Sequence, residues 1–261
     1  MESLRERLGD YLVRPELLNE GPFHLDPNQL DHHYKQDGDN SKKSYPSVTT
    51  VLNLVSYNEF IVQWANSLGF RRIGYKSELQ RTAKIGTALH AGAQSMIDPE
   101  LDLHPHVDDP LTDYYMRKRI QSLRERLEQE KPWRTIFTET TFCSREHGFA
   151  GTIDWFVEFR GMPTLADFKS SSGMREKQLL QLGGYYLLLT ENGIRVDHSM
   201  ILLCKEHNCE IHHFDEKILI RCGEIFLRVL EYYYDHAWLT ETIKDNRWLL
   251  SPPTAADKGV I

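Results

Sequence analysis

Residues 151–170 read GTIDWFVEFRGMPTLADFKS, and this stretch predicts a hairpin of two β-strands. Residues 151–159 and 163–170 are rich in β-branched and aromatic residues, which are enriched in strands. The pair Arg160-Gly161 separates the two runs and is the predicted turn, although Arg-Gly is not a favoured turn pair. A turn at this pair fixes the register of the hairpin, because pairing then proceeds in step away from it.

In this register two aspartates lie opposite one another. Asp154 faces Asp167, Phe156 faces Leu165, and Lys169 shares a face with Asp167 because side chains alternate along a strand. Opposed Cβ atoms in an antiparallel pair are about 4.5–5.5 Å apart, so two such carboxylates repel unless a cation lies between them. The pattern predicts a divalent-metal site on a sheltered face. The alternative is a pair of solvated acids, which a one-residue slip of register would place on opposite faces.

Two carboxylates beside a lysine are suited to phosphodiester hydrolysis. Mg²⁺ prefers oxygen ligands and keeps several waters, so two carboxylates leave room for water and a phosphate. A bound metal lowers the pKa of water and polarises phosphorus. A nearby lysine can orient the water and stabilise the charge that develops on the phosphate oxygens.

The remaining chain alternates predicted helices and strands. Helices are predicted over 58–68, 77–97, 111–130, 174–191 and about 215–240, and strands over 133–144, 195–204 and 209–214. Gly69 is expected to end the first helix, and residues 45–55 either begin a helix or end a strand. A hairpin is predicted around Asp37-Gly38. This order predicts an α/β fold in which helices flank a sheet.

Composition bounds the class of protein. The chain has 261 residues, 40% of them hydrophobic and 26% charged, which predicts one globular domain with an extension. We expect an N-terminal extension over 1–44, a domain over 45–250 and a tail over 251–261. No apolar run approaches the ~20 residues of a membrane helix, and the charged start MESLRERLGD is not a secretory signal. We therefore expect a cytoplasmic protein without a membrane partner.

The net charge of −7 argues against a polyanionic partner, but carboxylates at a metal site contribute to it and are neutralised by the cation. Two basic stretches offer local positive charge, and each is alternatively a solvated helix face. They comprise Arg71, Arg72, Lys76, Arg81 and Lys84, and Arg117, Lys118, Arg119, Arg124 and Arg126. Trp64, Tyr75, Tyr114 and Tyr115 lie among them and either stack on bases or belong to the core.

Four short segments now follow one another in a recognisable order. They are GTALH at 86–90, GTID at 151–154, DFKS at 167–170 and QLGGY at 181–185, preceded by YPSVTTVL at 45–52. This set resembles the PD-(D/E)XK nuclease superfamily. It is most similar to the branch that contains the RecB nuclease domain, the mitochondrial genome-maintenance exonuclease and many phage exonucleases. The resemblance covers about residues 45–190 and implies a restriction-endonuclease-like mixed β-sheet flanked by helices.

The resemblance also implies a set of site residues. The implied metal ligands are His90, Asp154, Asp167 and the backbone carbonyl of Phe168, and the implied catalytic residues are Asp154, Asp167, Lys169, Gln181 and Tyr185. Gln181 and Tyr185 are four residues apart on a predicted helix and therefore share a face. Each of the helix residues is alternatively an ordinary packing or hydrogen-bonding side chain. The implied cofactor is Mg²⁺, with Mn²⁺ as a substitute.

Further residues are candidates for contact with DNA: Lys177, Ser170, Ser171, Arg81 and Lys84. Lys177 lies on the same helix ridge as Gln181, and the serines alternatively cap the helix that follows. Glu139 in the preceding strand is a further candidate carboxylate beside the metal, although strand acids of this kind are more often on the surface.

The function we expect is therefore a divalent-metal-dependent DNA exonuclease of a phage or its bacterial host, acting in recombination, repair or replication. Its partners would be DNA and a phage recombinase or single-strand-binding protein. Alternatives are an endonuclease or flap nuclease on single-stranded DNA, a non-catalytic nucleic-acid-binding protein, and a hydrolase of small phosphoesters. Some relatives carry a four-cysteine iron–sulfur cluster with one cysteine upstream of the histidine motif. No cysteine precedes Cys143, so no cluster is expected.

Overall fold

The computed structural model describes residues 3–18, 23–25, 32–36, 44–55, 59–98 and 109–245. The helices are α1 (Leu4–Leu8), α2 (Val48–Leu52), α3 (Glu59–Phe70), α4 (Tyr75–Ile97), α5 (Pro110–Gln129), α6 (Glu176–Glu191) and α7 (Glu216–Asp245). The strands are β1 (Phe23–Leu25), β2 (His33–Gln36), β3 (Tyr45–Pro46), β4 (Trp133–Ser144), β5 (Phe149–Phe159), β6 (Met162–Lys169), β7 (His198–Cys204) and β8 (Cys209–Asp215). Among the described residues, no helix is both long enough and apolar enough to cross a membrane.

The main sheet has five strands in the order β4-β5-β6-β7-β8. Strands β6 and β7 are parallel, and the other neighbours are antiparallel, so the sheet is mixed. Helix α6 supplies the crossover between the two parallel strands, as such a connection requires. A second small sheet has the order β1-β2-β3 and is antiparallel throughout. The predicted α/β class, with helices around a mixed sheet, is confirmed.

The register predicted for the β5–β6 hairpin is confirmed. Phe156 pairs with Leu165, and Phe159 pairs with Met162 across the turn. The Arg-Gly turn adopts positive φ at both central positions, 52° and 76°. That is the backbone of a type I′ turn, which matches the twist of the strands that it joins. The hairpin therefore reverses where the sequence predicts, even though an arginine occupies a position that usually favours asparagine or glycine.

Helices cover both faces of the main sheet. On one face, helices α2, α6 and α7 bury Val48, Leu182 and Phe226 in one cluster with Phe156. On the other face, helices α4 and α5 bury Leu89 and Leu123 against strand residues such as Trp155 and Ala166. Because both faces are covered, nine of the eleven residues of β5 are buried. The catalytic candidates on β5 and β6 therefore lie inside the protein rather than on an open surface.

The described part of the predicted N-terminal extension contributes to this core. Leu8, Leu12 and Leu18 belong to the cluster that α6 and α7 help to form. Leu12 also forms a β-bridge with Ile194, after the end of α6. Residues 3–18 are thus packed on the domain. The turn expected at Asp37-Gly38 and the tail from 251 lie outside the described residues, but β2 and β3 on either side of that turn pair antiparallel.

Two local predictions change in detail. Helix α3 continues through Gly69 and ends at Phe70, because the left-handed residue that reverses the chain is Arg72, with φ of 56°. The amide of Ile73 closes the helix end by donating to the carbonyl of Leu68 over 2.9 Å. Residues 45–55 contain both of the predicted alternatives, the end of a strand and the start of a helix, since strand β3 is followed directly by helix α2. The other predicted helices and strands are found, with boundary shifts of up to five residues.

Glycines in the QLGGY segment let two helices approach closely. A Cβ atom on Gly183 would lie 2.4 Å from the backbone carbon of Cys222 and 2.5 Å from the nitrogen of Gly223. Both atoms belong to the α7 backbone, which cannot move aside as a flexible side chain would. Helices α6 and α7 therefore pack backbone to backbone at Gly183. This contact holds α6 in place against the sheet.

We expect Gly183→Ala to lower the free energy of unfolding by about 1–3 kcal/mol, because the added methyl overpacks the α6–α7 contact. Gly69→Ala is the matched control, since a Cβ on this helical glycine meets no atom within 4 Å. Urea unfolding of both variants measures the difference. A Gly183→Ala protein as stable as the Gly69→Ala protein would contradict the close approach.

Candidate metal centre

Three potential metal ligands converge where strands β4 and β5 pair irregularly. The ladder pairs Thr138 with Trp155 and Thr140 with Ile153, which leaves Glu139 next to Asp154. Glu139 adopts a φ of 42°, in the left-handed region that non-glycine residues seldom occupy. Such backbone strain is maintained only where the surrounding structure supports it. Glu139 therefore lies opposite Asp154 at a residue with an unusual backbone conformation.

Helix α4 brings His90 to the same point. Its Nδ1 lies 3.4 Å from Oδ2 of Asp154 and 3.7 Å from Oε1 of Glu139. One ligand atom from each of the three residues lies within 4.8 Å of the other two. The helix is fixed by Leu89, buried beneath the sheet, and by Gly86, where a Cβ would lie 3.7 Å from Oγ of Ser170. The geometry is compact enough for all three side chains to contact one cation.

Asp167 is held beside this group by different partners. Its side chain is 1% exposed, and its Oδ2 lies 2.5 Å from Nζ of Lys169. Its Oδ1 accepts a hydrogen bond from Nε2 of Gln181 over 3.3 Å. The three-ligand group therefore contains Glu139, while Asp167, which the resemblance implied as a ligand, contacts Lys169 and Gln181. The two parts of the site touch through the backbone, since the amide of Phe168 donates to Oδ2 of Asp154 over 3.0 Å. The Phe168 carbonyl that the resemblance implies as a ligand stays a prediction.

Helix α6 supplies the remaining implied site residues. Nε2 of Gln181 also donates to the hydroxyl of Tyr185 over 2.8 Å, which confirms that the two side chains share a face. The Tyr185 ring packs close to strand β5, where a Cβ on Gly151 would lie 2.9 Å from its Cε1 atom. Burial and the charges of Asp154 and Asp167 raise the pKa of Tyr185 well above its ordinary value. The phenol therefore stays protonated and locks the orientation of the Gln181 amide.

The charges within the site balance one another. Burial lowers the pKa of His90, but the charge of Asp154 and hydrogen bonds to Asp154 and Glu139 outweigh it and raise the pKa to about 10. For Asp154, burial raises the pKa, while the charge and hydrogen bond of His90 and the charge of Lys169 bring it below its ordinary value. At neutral pH the Asp154 carboxylate is thus ionised beside an imidazolium. A divalent cation that binds Nδ1 of His90 must displace its proton.

Asp167 and Lys169 form a second balanced pair. Burial is the largest effect on Asp167, and the charge of Asp154 adds to it, so that Lys169 offsets them only in part and the pKa rises to about 6. For Lys169, burial opposes the charge, but the charges of Asp167 and Asp154 prevail and raise the pKa. The Lys169 ammonium is therefore charged, and its side chain is 19% exposed. The Lys169 side chain is therefore mostly buried but keeps a small solvent-exposed surface.

The residues predicted to contact DNA divide into two groups. Lys177 donates to Oδ1 of Asn53 over 2.7 Å, and burial together with the nearby charge of Lys169 lowers its pKa. Ser170 adjoins helix α4 at Gly86. Ser171 instead stabilises the start of α6, accepting from Nε2 of Gln178 over 2.9 Å. Lys177 and Ser170 thus lie beside the site, whereas Ser171 contacts a side chain in the first turn of α6, whose N-cap residue is Arg175.

Arg81 and Lys84 lie further along α4. Arg81 is nine residues from His90, or about two and a half helical turns, so it projects from the opposite side of the helix. It pairs with Glu78 and lies over the Tyr115 ring at 5.5 Å. The structure thus directs Arg81 towards helix α5 rather than the site, and Lys84 is exposed.

Sequence reasoning ranked Glu139 low and missed Tyr34. The hydroxyl of Tyr34, in β2, lies 3.0 Å from Oγ1 of Thr152, two residues before Asp154 in β5. Burial raises the pKa of Tyr34, and the charges of Glu139 and Asp154 add to this effect. No signal in the sequence connects β2 with this site, because the connection depends on how the small sheet packs on β5.

No protein-family model matches the chain, and a search of curated proteins found no match either.

A pH dependence of stability follows from Asp167. Its folded pKa of about 6 lies above that of an unfolded aspartate, so its contribution to stability is present at low pH and is lost as the pH rises through about 6. At pH 8 the ionised, buried carboxylate costs on the order of 2–3 kcal/mol. With a chelator present, we expect Asp167→Asn to raise the free energy of unfolding more at pH 8 than at pH 5.

Urea unfolding at the two pH values measures this effect, and Asp235→Asn on the exposed surface of α7 is the control. If Asp167→Asn is less stable than the wild type at pH 8, the burial of Asp167 does not carry the proposed cost.

Proposed function

We propose that the protein is a divalent-metal-dependent deoxyribonuclease that hydrolyses phosphodiester bonds, with a restriction-endonuclease-like fold of the PD-(D/E)XK type. The observation that carries the proposal is the buried charge arrangement. The carboxylates and imidazole of the three-ligand group lie beside the charged Lys169, whose side chain is partly exposed to solvent. A site with only a structural role would be expected to bury fewer charges, because each costs free energy unless it is paired.

The donor atoms suit a small divalent cation. His90, Glu139 and Asp154 offer two carboxylates and one imidazole within ligand distance of a common point. Carboxylates favour Mg²⁺ and Mn²⁺, and the imidazole makes Mn²⁺ an effective substitute. When bound, the cation would polarise the phosphodiester and acidify water. The fit supports Mg²⁺ as the cofactor.

Lys169 provides the positive charge for the substrate. Its ammonium is charged and partly exposed, so it can donate to a phosphate oxygen or hold water for in-line attack. Asp167 holds Lys169, and Gln181 holds Asp167, so the lysine is orientated before substrate binds. Burial and the nearby charge of Lys169 lower the pKa of Lys177. Lys177 adds a second amine for contact with the DNA backbone. The arrangement places positive charge where an anionic transition state would form.

The resemblance favours an exonuclease of phage or bacterial origin that acts in recombination, repair or replication. DNA is the proposed partner, together with a recombinase or single-strand-binding protein. An endonuclease or flap nuclease on single-stranded DNA would use the same residues. The Asp154, Asp167 and Lys169 set weighs against a purely non-catalytic binding protein, since binding alone does not need all three.

We expect Lys169→Ala to reduce Mg²⁺-dependent DNA degradation by at least ~100-fold, because a charge that stabilises the transition state is lost. Lys131→Ala is the matched control and should leave the rate unchanged, because it removes an exposed lysine paired with Glu128 just before β4, whose first residue pairs with Phe159, five residues along β5 from Asp154. Circular dichroism and melting curves establish that both variants fold. Degradation by Lys169→Ala at the wild-type rate would overturn the mechanism.

The form of the activity is tested with end-labelled linear, circular and single-stranded DNA in Mg²⁺. An exonuclease degrades linear DNA from an end and spares the circle, whereas an endonuclease cuts the circle. Retention of intact DNA, without cleavage of any substrate, would mean that the protein is a binder. Cleavage that persists in excess chelator would contradict the metal dependence.

A further inference from the structure

Three hydroxyl groups form a chain that leads into the metal centre. Oγ1 of Thr141 in β4 lies 2.8 Å from Oγ1 of Thr152 in β5, and Thr152 lies 3.0 Å from the hydroxyl of Tyr34 in β2. Each hydroxyl has one proton to donate and can accept. Two hydrogen bonds use two of the three protons, so the chain retains one proton for an outside acceptor. That proton belongs to Tyr34 when Thr141 donates to Thr152 and Thr152 donates to Tyr34; in the other arrangements it belongs to Thr141 or Thr152.

The Tyr34 end adjoins the acidic group. Thr152 and Asp154 are two residues apart on β5, or about 6–7 Å along the strand. The charges of Glu139 and Asp154 act on the Tyr34 phenol, and Tyr34 in turn acts on Tyr185. The phenol stays protonated at neutral pH and can therefore donate. The Tyr34 hydroxyl contacts the β4–β5 side of the sheet, whereas Lys169 lies on β6. An anion bound beside the metal ligands would therefore have Tyr34 on one side and Lys169 on the other.

The small sheet fixes Tyr34 in this place. Strand β2 pairs with β3 through Tyr34 and Tyr45, and Tyr45 is buried with Cys143 and Ala150 of the main sheet. The hydroxyl of Tyr233 in α7 lies 3.2 Å from Nε2 of His33, the residue before Tyr34. Strand β2 is thereby held by β3 and by α7, so the Tyr34 hydroxyl can be pre-organised for a ligand.

We infer that Tyr34 is a substrate-binding residue: its hydroxyl, orientated by Thr152 and Thr141, donates to a non-bridging phosphate oxygen of the nucleic-acid strand at the metal centre. This inference rests on the proposed nuclease function and extends it to the N-terminal region. It assigns β2 a role in holding the phosphodiester, while His90, Glu139 and Asp154 hold the cation.

The test compares kcat and KM on a single-stranded, end-labelled oligonucleotide in Mg²⁺. Tyr34→Phe should lower kcat/KM about tenfold, as expected for a lost hydrogen bond to a charged group. The Mg²⁺ concentration for half-maximal rate and the melting temperature should not change, because the metal ligands and the packing of the ring are retained. Tyr232→Phe is the matched control, since it removes the hydroxyl of an exposed tyrosine on α7 that has no part in the proposal, and its kcat/KM should equal that of the wild type.

A double-mutant cycle tests the orientation of the hydroxyl. Thr152→Val should lower kcat/KM less than Tyr34→Phe, and the double variant should be no worse than Tyr34→Phe, because both changes act through one contact.

Each other outcome counts against a specific claim. If the wild type degrades DNA and Tyr34→Phe matches it, the role of Tyr34 is overturned and the nuclease proposal stands. If Tyr34→Phe lowers the melting temperature together with kcat/KM, the hydroxyl has only a structural role. A wild type that degrades no DNA with any divalent metal would overturn the nuclease proposal and this inference with it.

Discussion

Buried carboxylates require positive charge close by, and this constraint organises the structure around the metal centre. Asp154 and Asp167 are 8% and 1% exposed, and both lie on the sheet that helices cover on each face. Each has its own cation: His90 stands beside Asp154, and Lys169 beside Asp167. The pKa of His90 rises to about 10, while that of Asp154 falls, so the proton on the imidazole is part of the charge balance. A divalent cation can replace that proton, which couples metal binding to proton release.

The fold meets this requirement by bringing together elements that are distant in the chain. The tight β5–β6 hairpin places Asp154 and Asp167 next to one another, and the covering helices α4 and α6 contribute one partner to each acid. Helix α4 supplies His90 from one face, and α6 supplies Gln181 from the other. The close α6–α7 contact at Gly183 fixes α6, so the hydrogen bond from Gln181 to Asp167 depends on how α6 packs on α7. The ionised Asp167 carboxylate lowers the stability of the fold, because burial disfavours its charge and raises its pKa.

Much of the hairpin could be predicted from the sequence, because side-chain alternation and a two-residue turn leave little freedom in its register. The shared face of Gln181 and Tyr185 follows equally from helical periodicity. Glu139 could not be ranked correctly, because it meets Asp154 through the pairing of β4 with β5, and the sequence did not define that register. Tyr34 joins the site only through long-range packing of the small sheet. Arg81 belonged to a basic stretch in the sequence, yet its position on α4 directs it to Tyr115. Local patterns therefore predicted the centre of the site, while its periphery depends on tertiary contacts.

The central claim is that His90, Glu139 and Asp154 bind one divalent cation. Isothermal titration of Mn²⁺ into the wild type and Asp154→Asn, in two buffers of different ionisation enthalpy, tests it most directly. The account predicts one binding event in the wild type with release of about one proton, from His90. It predicts affinity at least about tenfold weaker in Asp154→Asn. Absence of Mn²⁺ binding by the wild type, or equal affinity in Asp154→Asn, would contradict it.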